Sequence, residues 1–376
     1  KIVCPNYYSF NLGRVHYVVL DDIYYKNEDT GGSYSKGIVG SRNYTNHITP
    51  DQFEWLKKDL SYVEDKSAPL IIALHIPVWK LNTASPFDAR DNLANGDSET
   101  LAQIVKEFKN VHVVSGHTHY NMNPHPANHK NIMEHNIAAI CATWWWTGYV
   151  SGHHICMDGS PGGYSFWQVD GDQLQWKYKS IEKNGDLQMR IYDMNTVKEY
   201  FAKNDSALTM LAKYPERTTY SEFMPNRVVI NVFAYDTDWK ITVYEGTARR
   251  SAIRFYGEDP FHTIAYDVPR VVQTGSYSAG WTAGKTSHLF QVTTVSSTTP
   301  VTVRLTDSFG NVYSQTIQRP HPFCLDMEKL QKDEEPAGLP TITTKGEKDT
   351  YDLAGRRVYA PRRGVYVQGG RKVLHK

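Results

Sequence analysis

The chain is 376 residues long, carries 41 basic and 40 acidic side chains for a formal charge of +1, and is 40% hydrophobic. That length and composition exclude a disordered chain and suit two or three domains with proper cores, while the charge balance provides no global field for nucleic acid or an anionic membrane surface. The longest apolar runs, "VHYVVL" and "PLIIALHIPVW", fall well short of the roughly 20 residues that span a bilayer, and no signal-peptide pattern opens the sequence, so a soluble chain without a membrane span is expected. Four cysteines, Cys4, Cys141, Cys156 and Cys324, show neither the close pairing of a zinc site nor a disulfide framework, and a bridge between Cys141 and Cys156 stays open.

The chain begins with "YYSFN" and "VHYVVLDD" around a turn at Leu12-Gly13-Arg14, a hairpin pattern in which Val15, Tyr17 and Val19 alternate with His16 and Val18. The polar, glycine- and tyrosine-rich residues 23–46 read as one long loop of the kind that borders a cleft. "ITPDQFEWLKKDL" predicts a helix with Thr49 as N-cap, Pro50 at the first helical position, Gln52 closing a capping box, and Phe53, Leu56 and Leu60 on one face. "LIIALHIP" is a continuous apolar run of strand length, the pattern of a strand buried on both faces, with His75 near its C-terminal end. A second helix is predicted from Ser98 to Lys109, with Leu101, Ile104, Val105 and Phe108 at helical spacing behind Asp97 or Ser98 as cap, and it leads into the strand "VHVVSGHTH". Histidines then fall at the carboxyl ends of two buried strands, the edge where open α/β sheets bind ligands.

Beyond residue 130 the period changes to two. "HNIAAICATWWWTGY" predicts a strand running into an aromatic corner, and "YSFWQVDGDQLQWKYKS" a hairpin turned by Asp170-Gly171. From 186 to 320 the segments "RVVINVFAY", "WKITVYEG", "TIAYDV", "HLFQVTTV", "VTVRLTD" and "NVYSQTI" all read as strands and predict an all-β sandwich. Residues 321–344, with "QKDEEPAGLP", read as a linker, and 345–376 as a short basic β tail.

In extended chain, residues i and i+2 point to one face, so His117 and His119 of "VVSGHTHYNM" would converge. With His75 they offer three neutral nitrogen donors suited to zinc, iron or manganese. Two hard cations about 3.5–4 Å apart normally need a bridging carboxylate as well. Asp21 and Asp22, at the end of the first strong strand, hold the analogous position, although capping the strand or fixing the loop is the simpler role for them.

"LIIALHIP" followed further on by "VVSGHTHYN" resembles the second half of the calcineurin-like metallophosphoesterase superfamily, and "YYSFNLGRVHYVVLD" and "TPDQFEWLKKDL" resemble segments between its middle and late motifs. The resemblance covers about residues 1–180. It implies an α/β half with a mixed sheet and helices over 1–185, the C-terminal part of a phosphoesterase domain, then an accessory β-sandwich over 186–320. By it His75 and His117 would bind one metal and His119 the other, in a binuclear centre of divalent manganese, zinc or iron that hydrolyses phosphomonoesters or phosphodiesters of a small molecule or phosphoprotein. The family's upstream Asp-x-His, Gly-Asp and Gly-Asn-His motifs are missing, and Gly96-Asp97, Asn46-His47 and Asn128-His129 are poor substitutes by position. The expectation is therefore a truncated or processed portion that holds few ions or none, has little activity alone, and takes the N-terminal segment of the same protein as its partner.

"TWWWTGY" and "SGHHICMDGSPGGY" also resemble a pattern that follows the metal turn in bacterial members. Trp144, Trp145, His153 or His154 either line a substrate cleft or pack against the next domain, and Tyr120 and Asn121 lie beside the metal turn as further candidates for substrate contact. The 186–320 region resembles a domain attached to such enzymes in Bacteroidetes-type bacteria, and the last residues resemble C-terminal segments of exported proteins, which implies a periplasmic, surface or secreted location. The competing expectation is a noncatalytic module that binds glycan or protein on a degenerate phosphoesterase scaffold.

Overall fold

The computed structural model describes residues 6–26, 43–81, 85–145, 147–182, 186–217, 220, 223–275, 282–323, 350–351, 358, 363–368 and 371–375. They fall into two compact units, one within 1–337 and one within 338–376.

In the first unit, β1 (Tyr8–Leu12) and β2 (Val15–Val19) form the expected hairpin, turned at Gly13 with φ 61°. The polar stretch that follows is more than a loop, because its ends pair as β3 (Ile23–Tyr25) and β4 (Tyr44–Asn46); the intervening 27–42 lie outside the described residues. Helix α1 (Pro50–Ser61) buries Phe53, Leu56 and Leu60 as its spacing predicts, but the capping box does not form. Gln52 instead bonds both backbone groups of Asp21, accepting at 3.0 Å and donating at 2.8 Å, and so ties the helix to the end of β2.

Strands β5 (Leu70–Ala73), β6 (Trp79–Leu81) and β7 (Ala89–Asp91), helix α2 (Asp97–Ile104), and strands β8 (Val111–Ser115) and β9 (Ile132–Asn136) follow. The main sheet has the order β1-β2-β5-β8-β9, parallel throughout except for the edge pair β1-β2. Helix α2 is shorter than its periodicity suggests and is entered through Gly96 at φ 76°, because the expected caps are spent elsewhere: Asp97 on His47 and the Ile48 amide, Ser98 on the Val78 carbonyl. The strand expected to run on from His135 stops at Asn136; the chain then turns, with Ala142 at φ 54° and Thr143 donating through both its amide and hydroxyl to the Ile155 carbonyl, before the short helix α3 (Thr147–Ser151).

Both helices cover one face of the sheet, where Val18, Leu56, Leu70, Ile72, Leu101 and Val113 are fully buried. The hairpin of β10 (Gly163–Asp170) and β11 (Gln173–Ser180) covers the other, its Leu174, Trp167 and Trp176 packing on Val15, Ile71 and Val114. This two-sided cover explains the continuous apolar run of β5.

From 186 onward the all-strand expectation fails. After β12 (Met189–Asp193) come helices α4 (Met194–Lys203) and α5 (Asp205–Lys213), capped by Asp193, which accepts from the Asn195 amide, and by Asn204, which accepts from that of Ala207. Next are β13 (Arg227–Val232), β14 (Lys240–Glu245), β15 (Ala248–Arg250) and β16 (Ala252–Glu258). "TIAYDV", expected as a strand, is helical: α6 (Pro260–His262), a π turn over Thr263–Asp267, and α7 (Val268–Thr274). Asp259 caps that start by accepting from the His262 amide, Pro260 occupies the first turn, and a short apolar run buried on all sides carries no period to reveal it.

Strands β17 (Lys285–Thr293), β18 (Val301–Thr306) and β19 (Val312–Ile317) complete two four-stranded antiparallel sheets, β12-β13-β17-β16 and β15-β14-β18-β19. Their buried side chains meet in one cluster, Met189, Ile230 and Val292 from the first sheet with Val243, Val303 and Ile317 from the second. Helices α4 to α7 pack on Tyr192, Val229 and Leu289 of the first sheet. The architecture is therefore mixed α/β, with one parallel-containing sheet and several antiparallel ones.

Bonds also cross residue 185. The Asp158 carboxylate accepts from the Asn121 amide at 2.9 Å and the Ser160 hydroxyl at 2.9 Å and meets His288 Nε2 at 3.1 Å, Asn231 donates to the Asp158 carbonyl at 2.8 Å, and Arg190 donates to Gly159 O at 2.8 Å. Cys141 and Cys156 carry free thiols, while Cys4 and Cys324 lie outside the described residues. Among the described residues no helix is long and apolar enough to cross a membrane.

The second unit holds β20 (Thr350–Tyr351), β21 (Gly364–Gln368) and β22 (Arg371–His375) in a three-stranded antiparallel sheet. Of the expected linker, 324–344 lie outside the described residues.

Candidate metal centre

Parallel pairing sets the carboxyl ends of β5 and β8 side by side, with Ala73 opposite Val114. Beyond them the Leu74 amide donates to Val114 O at 3.1 Å and the Gly116 amide to His75 O at 3.1 Å, which brings His75 against the turn at 116–119. Two buried carboxylates hold the segment that carries His75. Asp22 accepts from the amides of His75 and Ile76 at 3.2 and 2.7 Å, and Glu134 from those of Val78 and Trp79 at 2.9 and 2.5 Å and from the Ser115 hydroxyl at 2.6 Å. Residue 77 is proline and has no amide hydrogen, so every backbone amide from 75 to 79 is taken by a buried acid. Burial pushes Asp22 up to about 7 and Glu134 up to about 8 against the donors that hold them down. Asp22 thus fixes the loop, and Asp21 accepts from the Ile23 amide at 3.0 Å.

The reasoning that put His117 and His119 on one face of an extended strand is corrected by the backbone. Strand β8 ends at Ser115, and the two histidines have φ of 67° and 60°, left-handed conformations that cost about 1–3 kcal/mol each and persist where surrounding structure enforces them. The turn splits the pair. His117 Nδ1 lies 3.1 Å from His75 Nε2, with ring centroids 4.9 Å apart. His119 turns the other way, donating Nδ1–H to the Thr143 carbonyl at 2.8 Å and stacking on Trp144 at 5.2 Å.

These residues fit a divalent ion in two respects. Nitrogens bound to one ion at about 2.0–2.1 Å lie about 3 Å from each other, as His75 and His117 do. Both rings are pushed toward the neutral form: lost hydration, then the His119 charge, lowers His75, and lost hydration, then His75, Lys80 and His119, pushes His117 down to about 4. The Thr143 bond fixes the His119 tautomer and leaves Nε2 as its donor lone pair. Among the described residues, no three His, Cys, Asp or Glu side chains gather around one point.

The remaining candidates divide. Tyr120 is half-buried, and burial, then Asp158 and Tyr256, pushes its hydroxyl up to about 12. Asn121 is 4% exposed, donates its amide to Asp158 and its side-chain nitrogen to Ser160, and accepts from the Ala138 amide. Trp145 is 58% exposed and meets His154 edge-on at 5.8 Å, and His154 Nδ1 is buried without a partner among the described residues.

Sequence reasoning set aside Asn46-His47 and Gly96-Asp97 as separate, yet they meet: His47 Nδ1 is 2.6 Å from the Asp97 carboxylate. It also missed Glu134 and Thr143. An acid between the apolar residues of "NIMEHNIAA" was the signal for Glu134, whereas a backbone carbonyl such as that of Thr143 leaves none.

A family model described as the C terminal of calcineurin-like phosphoesterase matches residues 134–313. Purple acid phosphatase 15 of Arabidopsis thaliana is 29% identical over 113 residues, a match that takes in 30% of this chain and only 17% of the plant protein's length. A solved structure of PhoD aligns over 35% of this chain and 28% of that chain at 21% identity, with a TM-score of 0.25. Residues 134–313 of the chain are thus similar to the C-terminal part of calcineurin-like phosphoesterases, and a shorter stretch is similar to a plant purple acid phosphatase.

Proposed function

We propose that the protein is a metal-dependent phosphoesterase that hydrolyses phosphomonoesters or phosphodiesters at a two-ion centre of manganese, zinc or iron. To that centre this chain contributes His75 and His117 for one ion and His119 for the other. The observation that carries the reading is the approach of His75 Nε2 and His117 Nδ1 at the carboxyl ends of two parallel strands.

A bound divalent ion supplies Lewis acidity toward a phosphoryl oxygen. The chain's own residues prepare that site. Asp22 and Glu134 fix the backbone that presents His75, low basicity keeps both rings available as donors, and the Thr143 carbonyl orients His119. Three neutral donors leave two divalent charges uncompensated, so this chain alone is expected to hold an ion weakly and to hydrolyse little. Residues 186–320 serve the reading as an accessory domain whose two four-stranded sheets pack as a sandwich, supported by their shared apolar cluster. The resemblance of the tail to exported proteins supports work outside the cytoplasm.

The test is a calorimetric titration of this chain with zinc and with manganese. His75→Asn and His117→Asn are each expected to weaken binding about tenfold or more, since each removes one of two adjacent donors. Variants that bind either ion as the unmodified chain does would sink the reading.

A further inference from the structure

The hairpin of β6 and β7 places two cations directly opposite one another, because Lys80 pairs with Arg90 in its ladder. Opposed residues of an antiparallel pair project from the same face with Cβ atoms about 4.5–5.5 Å apart, and like charges there repel. Among the described residues neither has an acidic partner within ion-pair distance.

The repelling pair is held from below. Trp79 is 1% exposed, donates its indole N–H to Asp91 at 3.1 Å, and gives its amide to Glu134. Past β7, Asn92 donates its amide to Val78 O at 2.9 Å and its side chain to Pro77 O at 2.6 Å. Lys80 is half-buried, and burial followed by the Arg90 charge lowers its basicity. The root of the hairpin lies beside the histidine turn, since Glu134 accepts from the Val78 and Trp79 amides and from the hydroxyl of Ser115, the last residue of β8 before that turn; in keeping with this, the Lys80 charge acts on His117 and that of Arg90 on Tyr120.

A cation pair fixed beside neutral metal-type donors lacks an anion. We propose that Lys80 and Arg90 form the phosphate-binding arm of the site and select phosphoryl groups carrying two negative charges, those of phosphomonoesters, over the singly charged group of a diester. The proposal rests on reading the histidine centre as a phosphoesterase site. Coulomb energy is linear in charge, so two fixed cations attract a dianion twice as strongly as a monoanion at equal distance, with less screening where Lys80 is half-buried. The guanidinium fork suits two phosphoryl oxygens at once, and the ammonium acts as a point charge beside it.

Calorimetric titration of the chain at about pH 8 without added metal, with phenyl phosphate and diphenyl phosphate as probes, reads the arm independently of catalysis. The unmodified chain is expected to bind phenyl phosphate at least about tenfold more tightly than diphenyl phosphate. Lys80→Gln and Arg90→Gln are each expected to weaken phenyl phosphate about tenfold with little change for the diester, and Lys80→Arg to recover most of the loss. An unmodified chain without the preference, or variants that keep it, overturns the proposal. Zinc titration of Lys80→Gln separates the two readings. Retained zinc binding with lost monoester preference supports the arm, whereas His117→Asn binding zinc normally removes the phosphoesterase reading and leaves the anion result standing.

Discussion

Glu134 is fully buried on β9 and takes two amides and a hydroxyl, yet burial still raises it to about 8. A carboxyl whose folded value lies above its unfolded one binds more protons folded than unfolded between the two, so stability falls as pH rises through that window. For Glu134 the window runs from about 4.5 to about 8, with a slope of up to about 1 kcal/mol per pH unit near its centre. Glu134→Gln cannot ionise and is expected to flatten that fall, though with lower stability at pH 5 because its amide nitrogen opposes a backbone donor. Urea unfolding of both proteins at pH 5, 6.5 and 8 checks this, and parallel slopes would show that Glu134 does not titrate there. At this scale the sequence was legible where chemistry is unusual: paired histidines after an apolar run stand out, and the resemblance sorted them. It was silent on burial, which turns Glu134 and Asp22 from surface acids into anchors.

Between the main sheet and the β10–β11 hairpin lies a second histidine pair, with His112 Nδ1 2.9 Å from His135 Nε2 and both rings edge-on to Trp167 and Trp176. Burial pushes His112 down to about 4 and His135 well below its ordinary value. As pH falls below about 6.5 the unfolded histidines take up protons that the folded ones refuse, so stability contributed by this pair is lost between about 6.5 and about 4. Trp176→Ala uncovers the rings; it is expected to cost about 3 kcal/mol in lost packing and, by letting the folded rings take up protons nearer their ordinary range, to make stability fall less steeply between about pH 6.5 and about pH 4, as read by urea unfolding followed by tryptophan fluorescence. An unchanged slope would place the sensitivity elsewhere. Elements with a long period and a proline start, such as α1, were legible, and so were strands with alternating faces. Helices α4 and α5 carried readable caps in Asp193 and Asn204 but sat among strands, and the 260–274 helical stretch is too apolar to show a period.

Across the whole molecule, the buried strands with histidines at their ends were legible in the sequence, because two-sided burial leaves an unbroken apolar run. Less legible was how far the regions on either side of residue 185 depend on each other, since side chains that meet across the chain have no common local pattern. The family model itself extends across that position. Asp158 shows what this entails, for its carboxylate holds the amide next to the metal turn and a histidine of β17. A chain divided at 185 would leave that carboxylate without His288 and the Asp158 carbonyl without Asn231. Fragments 1–185 and 186–376 produced apart are accordingly expected to aggregate, and to regain a sharp thermal transition only when co-expressed; a fragment that melts cooperatively by itself would show that the charge is dispensable. One carboxylate would then act as a proofreader of assembly, leaving the histidine turn unformed until the strands that follow it in the chain have arrived.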